Sequence, residues 1–264
     1  MTSPVGAEHL AFADRLADAA AAISRRYFRQ RLAVDDKADA SPVTIADREA
    51  EAAMRTLIES QYPKHGILGE EHGAVRAGAD LVWVLDPIDG TKSFISGVPL
   101  FGTLIALVHE GRPVLGVIDQ PVSRERWRGL EGQASTFNGA AATVRACDAL
   151  AKATLFAGAT EQYVGEDAAA LARLKAAVKL TRHNGDCYAY GLLALGFVDC
   201  VAEASLKPYD YCALVPIVEG AGGVITDWQG RPLGLHSDGH VLAAGDPRLH
   251  ALAQATLAGR KPAR

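Results

Sequence analysis

The chain has 264 residues, of which 49% are hydrophobic, and a formal net charge of −4. This length suffices for one large domain or two closely associated halves. The slight negative charge argues against a general nucleic-acid binder, and no apolar run reaches the ~20 residues that a membrane helix needs. Residues 1–10 lack a basic region followed by an apolar core, so we expect no secretory signal.

The cysteines bear on the cellular compartment. Cys147, Cys187, Cys200 and Cys212 form no CxxC pair, and no histidines stand at zinc-finger spacing. Buried, reduced thiols are therefore favoured over a zinc site or disulfides. A cytoplasmic protein is expected on this ground.

The N-terminal half is predicted to combine helices with an antiparallel sheet. Its composition predicts helices over 8–31 and 44–60, separated by a polar loop at 35–42. Apolar, β-branched runs further along the chain predict strands. These strands cover residues 66–71, 81–85, 103–109, 114–119 and 124–130.

The C-terminal half alternates between the two kinds of element. Strands are predicted at 155–157, 198–203, 224–226 and 241–244. Helices are predicted at 167–178, 186–195, 209–220 and 248–257. This alternation indicates helices packed on a second sheet.

Two carboxylates follow a buried strand in the run WVLDPIDGT at 83–91. Pro87 restricts Asp86 to an extended backbone, and Gly90 permits a tight turn that a ligand can approach closely. A helix starting after Gly90 would direct free amides at an anion. Two acids beside an anion repel it, and a hard cation such as Mg²⁺ resolves that conflict. The alternative is a polar turn in which Asp86 and Asp89 merely cap a helix.

Further acids have simple explanations when each is taken alone. The pair Glu70 and Glu71 follows a strand and is compatible with a solvated surface. Asp210 precedes an apolar helix and is compatible with an acid that interacts with the helix dipole. Asp47 lies three residues after Thr44, the spacing of a capping box. Only their combination favours a shared metal site.

Together the motifs resemble the inositol-monophosphatase superfamily. The matching segments are GEE at 69–71, WVLDPIDGT at 83–91, YDY at 209–211 and GAGG at 220–223, in the family order. The resemblance implies a layered α/β/α/β/α fold, of the α/β or α+β class, and a homodimer. We accordingly divide the chain into a half at 1–145 that carries the metal and phosphate motifs and a half at 146–264 that completes the metal site and substrate pocket.

The resemblance also implies two or three Mg²⁺ ions per active site. Glu70, Asp86 and the Ile88 carbonyl would bind the first ion, and Asp86, Asp89 and Asp210 would bind the second. Asp86 would therefore bridge them. Such ions lower the pKa of a bound water and offset the charge of the phosphate, so that no phosphoenzyme is needed.

The same pattern implies the catalytic and phosphate-binding residues. Thr91, paired with Asp47, would orient and activate the attacking water, and Glu70 is assigned to the catalytic group with them. The backbone amides of Gly90 and Thr91 would bind the phosphate. Lys37 would add positive charge near the site, although an ordinary exposed lysine is the simpler explanation.

Three details favour L-histidinol phosphate as the substrate. The run KSFISG at 92–97 resembles the histidinol-phosphate phosphatase branch more than the inositol enzymes. Asp186 stands where inositol enzymes carry a small hydroxyl residue and would suit an ammonium group, with a helix N-cap as the competing explanation. The run EASLKPYD at 203–210 resembles the same branch. Glu203, seven residues before Asp210, would face the leaving group, where its carboxylate could bind either a sugar hydroxyl or a cationic nitrogen. Arg182 would either contact the substrate or support its loop.

The predicted activity is therefore Mg²⁺-dependent hydrolysis of a phosphate monoester, with histidinol phosphatase of histidine biosynthesis as the preferred assignment. The alternatives are an inositol monophosphatase or broad small-metabolite phosphatase, and a non-catalytic metal-dependent protein that binds phosphometabolites. The last is disfavoured because Asp47, Glu70 and Thr91 are all present. The expected partners are a small phosphate ester and a second copy of the chain, with neither nucleic acid nor membrane.

Overall fold

The computed structural model describes residues 4–31, 33–36 and 42–260. The predicted Lys37 lies outside them. Near the N-terminus are helices α1 (Ala7–Tyr27) and α2 (Ile45–Gln61), with a short antiparallel pair, β1 (Asp35–Asp36) and β2 (Pro42–Val43), between them in sequence. The Thr44 hydroxyl accepts a hydrogen bond from Ala46 N and caps α2.

A large sheet follows. Its strands are β3 (Gly66–Gly69), β4 (Gly73–Val75), β5 (Leu81–Asp89), β6 (Gly102–His109), β7 (Arg112–Gln120), β8 (Glu125–Leu130), β9 (Thr136–Phe137) and β10 (Ala140–Ala141). Their spatial order is β10-β9-β8-β7-β6-β5-β3-β4. The pair β3 and β5 is parallel and the other neighbours are antiparallel. The short helix α3 (Thr91–Ile95) leaves the end of β5.

Alternation along β5 gives this sheet two apolar faces. Trp83 and Leu85 join the core formed with α1 and α2, whereas Val82 and Val84 join the core on the opposite face. Fully burying a side chain of this size contributes about 1.5–3 kcal/mol. The strand is therefore apolar on both faces until Asp86, which makes the carboxylates beyond it conspicuous.

A second sheet follows later in the chain. It contains β11 (Thr154–Ala157), β12 (Leu180–His183), β13 (Cys200–Glu203), β14 (Val224–Thr226) and β15 (Val241–Ala244), in the order β12-β11-β13-β15-β14. Its helices are α4 (Glu166–Ala177), α5 (Asp186–Ala194), α6 (Pro208–Tyr211), α7 (Leu214–Gly220) and α8 (Pro247–Leu257). Single 3₁₀ turns occur at Leu150–Lys152 and Thr160–Gln162.

The helices α5 and α7 pack between the two sheets, and α4 and α8 cover the outer face of the second sheet. The order of layers is therefore helix, sheet, helix, sheet, helix, and the predicted α/β/α/β/α fold is confirmed. The first sheet spans residues 66–141 and the second 154–244. The proposed division into halves at residue 145 falls between them and stays a prediction. Within the described residues, no helix is long and apolar enough to cross a membrane.

Some predicted elements were wrong in extent. The helix predicted over 209–220 is split into α6 and α7, because Pro216 has no N–H to donate to the Cys212 carbonyl. The first helix ends at Tyr27 instead of residue 31, and the Phe28 ring packs 5.1 Å from that of Phe101. The exposed edge strand β12 was missed, since its sequence LTRH shows no apolar alternation.

Candidate active site

The carboxyl end of β5 carries the first two predicted acids. Asp86 is 2% exposed, and its Oδ1 accepts a hydrogen bond of 3.0 Å from Ile88 N. Pairing with β6 changes register between Asp86 and Asp89, and the Thr103 hydroxyl donates to the Pro87 carbonyl at 2.8 Å. Such an irregularity redirects side chains that regular pleating would place elsewhere.

Asp86, Asp89 and Asp210 converge although Asp210 comes from α6, more than 120 residues later in the chain. One carboxylate oxygen from each lies within 4.8 Å of the others. Backbone amides hold the carboxylates of Asp89 and Asp210 in place. Cys187 N donates to Asp89 Oδ2 at 2.5 Å, and Lys207 N donates to Asp210 Oδ2 at 2.7 Å. We call these three residues the acid cluster.

Glu70 reaches the acid cluster from the loop after β3. Its backbone N–H donates to the Leu85 carbonyl at 3.2 Å, which continues the parallel pairing of β3 with β5. Its side chain forms a hydrogen bond with the Asp86 carboxyl group. The structure thus brings together all four predicted carboxylate ligands, from three separate segments of the chain.

The acid cluster is electrostatically crowded. Burial raises the pKa of Asp86 well above its ordinary value, and the charges of Glu70, Asp89 and Asp210 raise it further. Burial and the charges of Asp186 and Asp210 do the same to the pKa of Asp89, and burial chiefly raises the pKa of Asp210 to about 7. In the part of the chain that the structure describes, none of the three pairs with a lysine or arginine. An all-oxygen set with unbalanced negative charge fits a hard divalent cation.

Asp47 and Thr91 meet beside this cluster. Asp47 Oδ2 accepts hydrogen bonds from Thr44 N at 2.9 Å and Thr44 Oγ1 at 2.6 Å, so the capping box is real. The other oxygen, Oδ1, faces Thr91 Oγ1 at 3.4 Å, while the Ile88 carbonyl lies 3.2 Å from the same hydroxyl. Burial raises the pKa of Asp47, and the nearby Glu70 charge adds to it. The two explanations of Asp47, cap and site residue, are therefore compatible.

Gly90 and Asp186 form the next contact. Gly90 stands before α3 with φ +85°, and a Cβ there would lie 2.6 Å from Asp186 Oδ2. The same oxygen accepts a hydrogen bond of 2.6 Å from Ser93 Oγ. Asp186 itself has φ +45°, a strained conformation for a residue with a side chain. The N-cap explanation for Asp186 is wrong, because Gly185 occupies the cap of α5 and Asp186 is the first helical residue.

Glu203 ends β13 and is 8% exposed, and the Tyr190 hydroxyl donates to its Oε2 at 2.8 Å. Two acceptor oxygens lie close to Gly158, which has no side chain to exclude them. A Cβ at this position would lie 1.8 Å from Gln162 Oε1 and 2.8 Å from Glu203 Oε1. Among the described residues, the buried Gln162 Oε1 has no hydrogen-bond donor. Burial raises the pKa of Glu203 to about 8, and the Asp89 charge contributes to the rise.

Arg182 does not join these acids. It lies exposed on β12, with its guanidinium 5.5 Å from the centroid of the Phe156 ring. Phe156 is also the residue of β11 that pairs with Arg182 in the parallel register of the two strands. A role in substrate binding stays a prediction for Arg182.

Sequence reasoning missed Ser93, Gln162 and the amide of Cys187. Ser93 lies in the segment already noted as unlike the inositol enzymes, so that difference was a usable signal. Gln162 sits in the 3₁₀ turn Thr160–Gln162, where no periodicity marks a functional residue. The Cys187 contact depends on the backbone, which carries no residue-specific signal.

The geometry can be compared with known proteins. The sequence model of the inositol monophosphatase family matches residues 7–260. The bifunctional phosphatase IMPL2 of Arabidopsis thaliana is 48% identical over 249 residues, covering 91% of this chain and 72% of the relative. A histidinol-phosphatase of Chlorobaculum parvum is 37% identical over 236 residues, covering 89% and 91%.

Solved structures lead to the same family. An inositol monophosphatase from Zymomonas mobilis superposes with a TM-score of 0.89 at 48% identity, covering 96% of this chain and all of that one. The match therefore extends over both sheets and over every segment that contributes to the acid cluster. By sequence and by fold, this chain belongs to the inositol monophosphatase family.

Proposed function

We propose that this chain hydrolyses L-histidinol phosphate to L-histidinol and phosphate with the help of Mg²⁺. Its family consists of metal-dependent phosphatases that act on small phosphate esters. The observation that carries the proposal is the acid cluster, in which carboxylates from β5 and α6 lie within 4.8 Å of one another, with no salt bridge to an arginine or lysine among the described residues. Only a bound cation would balance that charge beside an anionic substrate.

Two or three Mg²⁺ ions are the proposed cofactors. Glu70, Asp86 and the Ile88 carbonyl would hold one ion, and Asp86, Asp89 and Asp210 another. When bound, Mg²⁺ offsets the charge of the phosphate and makes a coordinated water more acidic. The backbone fixes one oxygen of Asp86, Asp89 and Asp210, so their carboxylates are oriented before a ligand arrives.

The remaining steps fall to the chain's own residues. The Thr91 hydroxyl donates toward Asp47 Oδ1, so its oxygen is free to accept a hydrogen bond from an attacking water. Asp47, held at its other oxygen by Thr44, is placed to receive the proton that Thr91 passes on. The amides of Gly90 and Thr91 at the start of α3 would bind the phosphate oxygens.

The choice of histidinol phosphate rests on the acceptors in the leaving-group pocket. Glu203, Asp186 and Gln162 Oε1 all present oxygens there, and two of them are carboxyl groups. The amine and imidazole of histidinol are donors that carry positive charge near neutral pH. Inositol is neutral and carries no cationic donor to pair with these carboxyl groups. A buried acceptor left unpaired discriminates against a leaving group that lacks the matching donor.

An inositol monophosphatase or a phosphatase of broad range is the second candidate. The 48% identity to the Zymomonas mobilis enzyme, a protein titled as an inositol monophosphatase, favours it. The histidinol-phosphatase relatives and the acidic pocket favour the first candidate. A non-catalytic phosphometabolite-binding protein is disfavoured because Asp47, Glu70 and Thr91 are all in contact with the site.

A phosphate-release panel with Mg²⁺ tests the assignment. The substrates are histidinol phosphate, inositol 1-phosphate, fructose 1,6-bisphosphate and a 3′-phosphonucleotide. We expect kcat/KM for histidinol phosphate to exceed that for inositol 1-phosphate at least about tenfold, or about 1.4 kcal/mol. An equal or reversed preference would dismiss histidinol phosphate, and no phosphate release from any ester would dismiss a phosphatase.

Two variants locate the preference within the pocket. Glu203→Gln and Asp186→Asn should each lower kcat/KM for histidinol phosphate more than for inositol 1-phosphate. Glu166→Gln is the matched control, because Glu166 lies on α4 and pairs with Arg173 on the surface. If both pocket variants lowered activity on the two substrates equally, the acids would not be the source of selectivity. A cytoplasmic location, expected from the cysteines, and a homodimer, implied by the family resemblance, remain predictions outside this test.

A further inference from the structure

The loop that carries Glu70 is fastened to α2 by one buried side chain. Glu51 is fully buried at 0% exposure. Its Oε2 accepts a hydrogen bond of 2.7 Å from Glu71 N, and its Oε1 accepts one of 3.1 Å from His72 N. Both amides belong to residues that directly follow Glu70, so Glu51 fixes the backbone of the loop immediately after it.

Arg55 completes the attachment. Its Nε donates to Glu51 Oε1 at 2.7 Å, and its Nη2 donates to the Gly73 carbonyl. The Arg48 carbonyl also lies 3.1 Å from His72 Nε2. Glu51 therefore has three donors, which makes its burial tolerable, and each of them serves the junction between α2 and the loop.

Gly69 shows how closely the two parts approach. A Cβ at Gly69 would lie 2.0 Å from Glu51 Oε1 and 2.7 Å from Arg55 Nη2. Any larger residue would displace Glu51 or shift the loop. The glycine of the GEE motif is thus required by the Glu51 carboxylate, not by a positive φ, because Gly69 is absent from the residues with positive φ.

Glu51 also lies one helical turn after Asp47. Residues four apart on a helix share a face, so α2 presents both carboxylates to the site. Asp47 faces Thr91 at 3.4 Å, and Glu51 holds the loop from which Glu70 reaches Asp86. One rigid helix therefore sets the distance between the Thr91 side of the site and the Glu70 side.

We propose that Glu51 is a positioning residue that holds Glu70 against Asp86 and thereby sets the affinity of the site for its divalent cation. This inference rests on the proposed metal-dependent function. Glu51 touches neither the cation nor the substrate. A residue that orients a ligand in this way typically changes metal affinity or activity about 10–100-fold when it is replaced.

The test is Glu51→Gln. The amide keeps the size of the side chain, but its NH₂ group would oppose one of the two backbone N–H donors. Mn²⁺ binding, followed by the EPR signal of the free ion, should weaken about tenfold, and the Mg²⁺ concentration for half-maximal activity should rise to match. With saturating Mg²⁺, kcat should stay within about threefold of wild type, since Glu51 acts only through Glu70. Unchanged Mn²⁺ affinity, or lost kcat at unchanged affinity, would overturn the inference.

Glu49→Gln is the matched control on the same helix. Glu49 pairs with Arg26 and accepts a hydrogen bond of 3.0 Å from Tyr27 Oη, away from the Glu70 loop. Its Mn²⁺ affinity should equal that of wild type. If Glu51→Gln does not fold, Arg55→Met decides, because it removes the guanidinium that holds Glu51 Oε1 and the Gly73 carbonyl and so loosens the same attachment. A roughly threefold weaker Mn²⁺ affinity would support the inference, and an unchanged affinity would refute it.

Glu70→Gln separates this inference from the proposed function. Loss of Mn²⁺ affinity in Glu70→Gln supports Glu70 as a ligand. If Glu70→Gln binds Mn²⁺ normally, the proposed ligand set fails and the role of Glu51 fails with it. If Glu70→Gln weakens binding and Glu51→Gln does not, only the role of Glu51 falls.

Discussion

Two settings of buried carboxylates in this protein can be compared, and in one of them each acid pairs with an arginine. Asp119 Oδ1 accepts a hydrogen bond of 2.7 Å from Arg126 Nε. Asp199 accepts two hydrogen bonds of 2.6 Å from Arg145 and a third of 2.7 Å from Thr154 N. These acids join neighbouring elements, and each of them faces an arginine of the same chain.

The acid cluster is the other setting. Asp86, Asp89 and Asp210 face one another, and their anchors are the backbone amides of Ile88, Cys187 and Lys207. Over the described ranges, no guanidinium or ammonium pairs with them. Folding alone therefore leaves this charge unbalanced. The difference teaches that the first setting joins elements of the fold, whereas the second leaves carboxylates in mutual repulsion, which a bound cation would relieve.

The largest expected effect separates activity from stability. Asp86→Asn should lower Mg²⁺-dependent kcat by about 10³-fold or more, since it removes the proposed bridging carboxylate. The metal-free variant should be as stable as wild type or more so, because one repelling charge is gone. Steady-state phosphate release and urea denaturation measure the two quantities. A kcat of Asp86→Asn near that of wild type would contradict the proposed role of the acid cluster.

Asp119→Asn is the matched control for Asp86→Asn. It makes the same chemical change in the arginine-balanced setting, so it should destabilise the fold and leave kcat unchanged at temperatures well below unfolding. Equal losses of activity in the two variants would mean that the settings do not differ as proposed.

Replacing the arginine that pairs with Asp119 should destabilise the fold. Arg126 contacts Asp119 and Asp18 at 2.7 Å, with only 16% of its side chain exposed. Arg126→Met should lower the free energy of unfolding by about 3 kcal/mol, because Asp119 stays buried without a partner. Urea denaturation with 1 mM EDTA measures it. Arg128→Met, whose side chain is 33% exposed and contacts Asp14, should cost less. A larger loss in Arg128→Met would contradict this account.

Added Mg²⁺ should stabilise the protein through the acid cluster alone. At about 100 times its dissociation constant, a ligand that binds only the folded state adds about 2.7 kcal/mol. We expect thermal unfolding to shift upward with Mg²⁺ in wild type and in Asp119→Asn, but not in Asp86→Asn. An equal shift in Asp86→Asn would place the binding of Mg²⁺ elsewhere.

The smallest expected effect concerns Glu203. Because burial raises its pKa from the ordinary 4.5 to about 8, its protonated form contributes stability that is complete below pH 4.5 and lost as the pH rises through about 8. Between about pH 5.5 and pH 7.0, the free energy of unfolding of metal-free wild type should therefore fall by about 2 kcal/mol relative to that of Glu203→Gln. Urea denaturation at both pH values measures the difference. A pH-independent difference would show that Glu203 is ionised in the fold.

Much of the fold followed from local patterns. The apolar run at 81–85 predicts β5, and the capping residue Thr44 predicts the start of α2. Local patterns failed where a tertiary constraint decides the outcome. The edge strand β12 forms because β11 offers it a parallel partner, and its own sequence carries no strand alternation. The break between α6 and α7 depends on a single missing N–H at Pro216.

The acids themselves were visible in the sequence because spacing and chain order identify a family motif. Their contacts were not. The amide of Cys187 meets Asp89 across 98 positions, and Glu51 meets the loop after Glu70 across about 20 positions. Backbone amides look alike in a sequence, so nothing marks the ones that become anchors.

The sequence by itself determined which proposed oxygen ligands are present, their chain order, and the apolar strand that delivers Asp86 and Asp89. The tertiary structure alone decided which carboxylates receive an arginine and which face each other, as Asp119 and Asp86 show. The physical reason is that covalent spacing limits only near neighbours along the chain. Long-range packing sets the distances through which charges act.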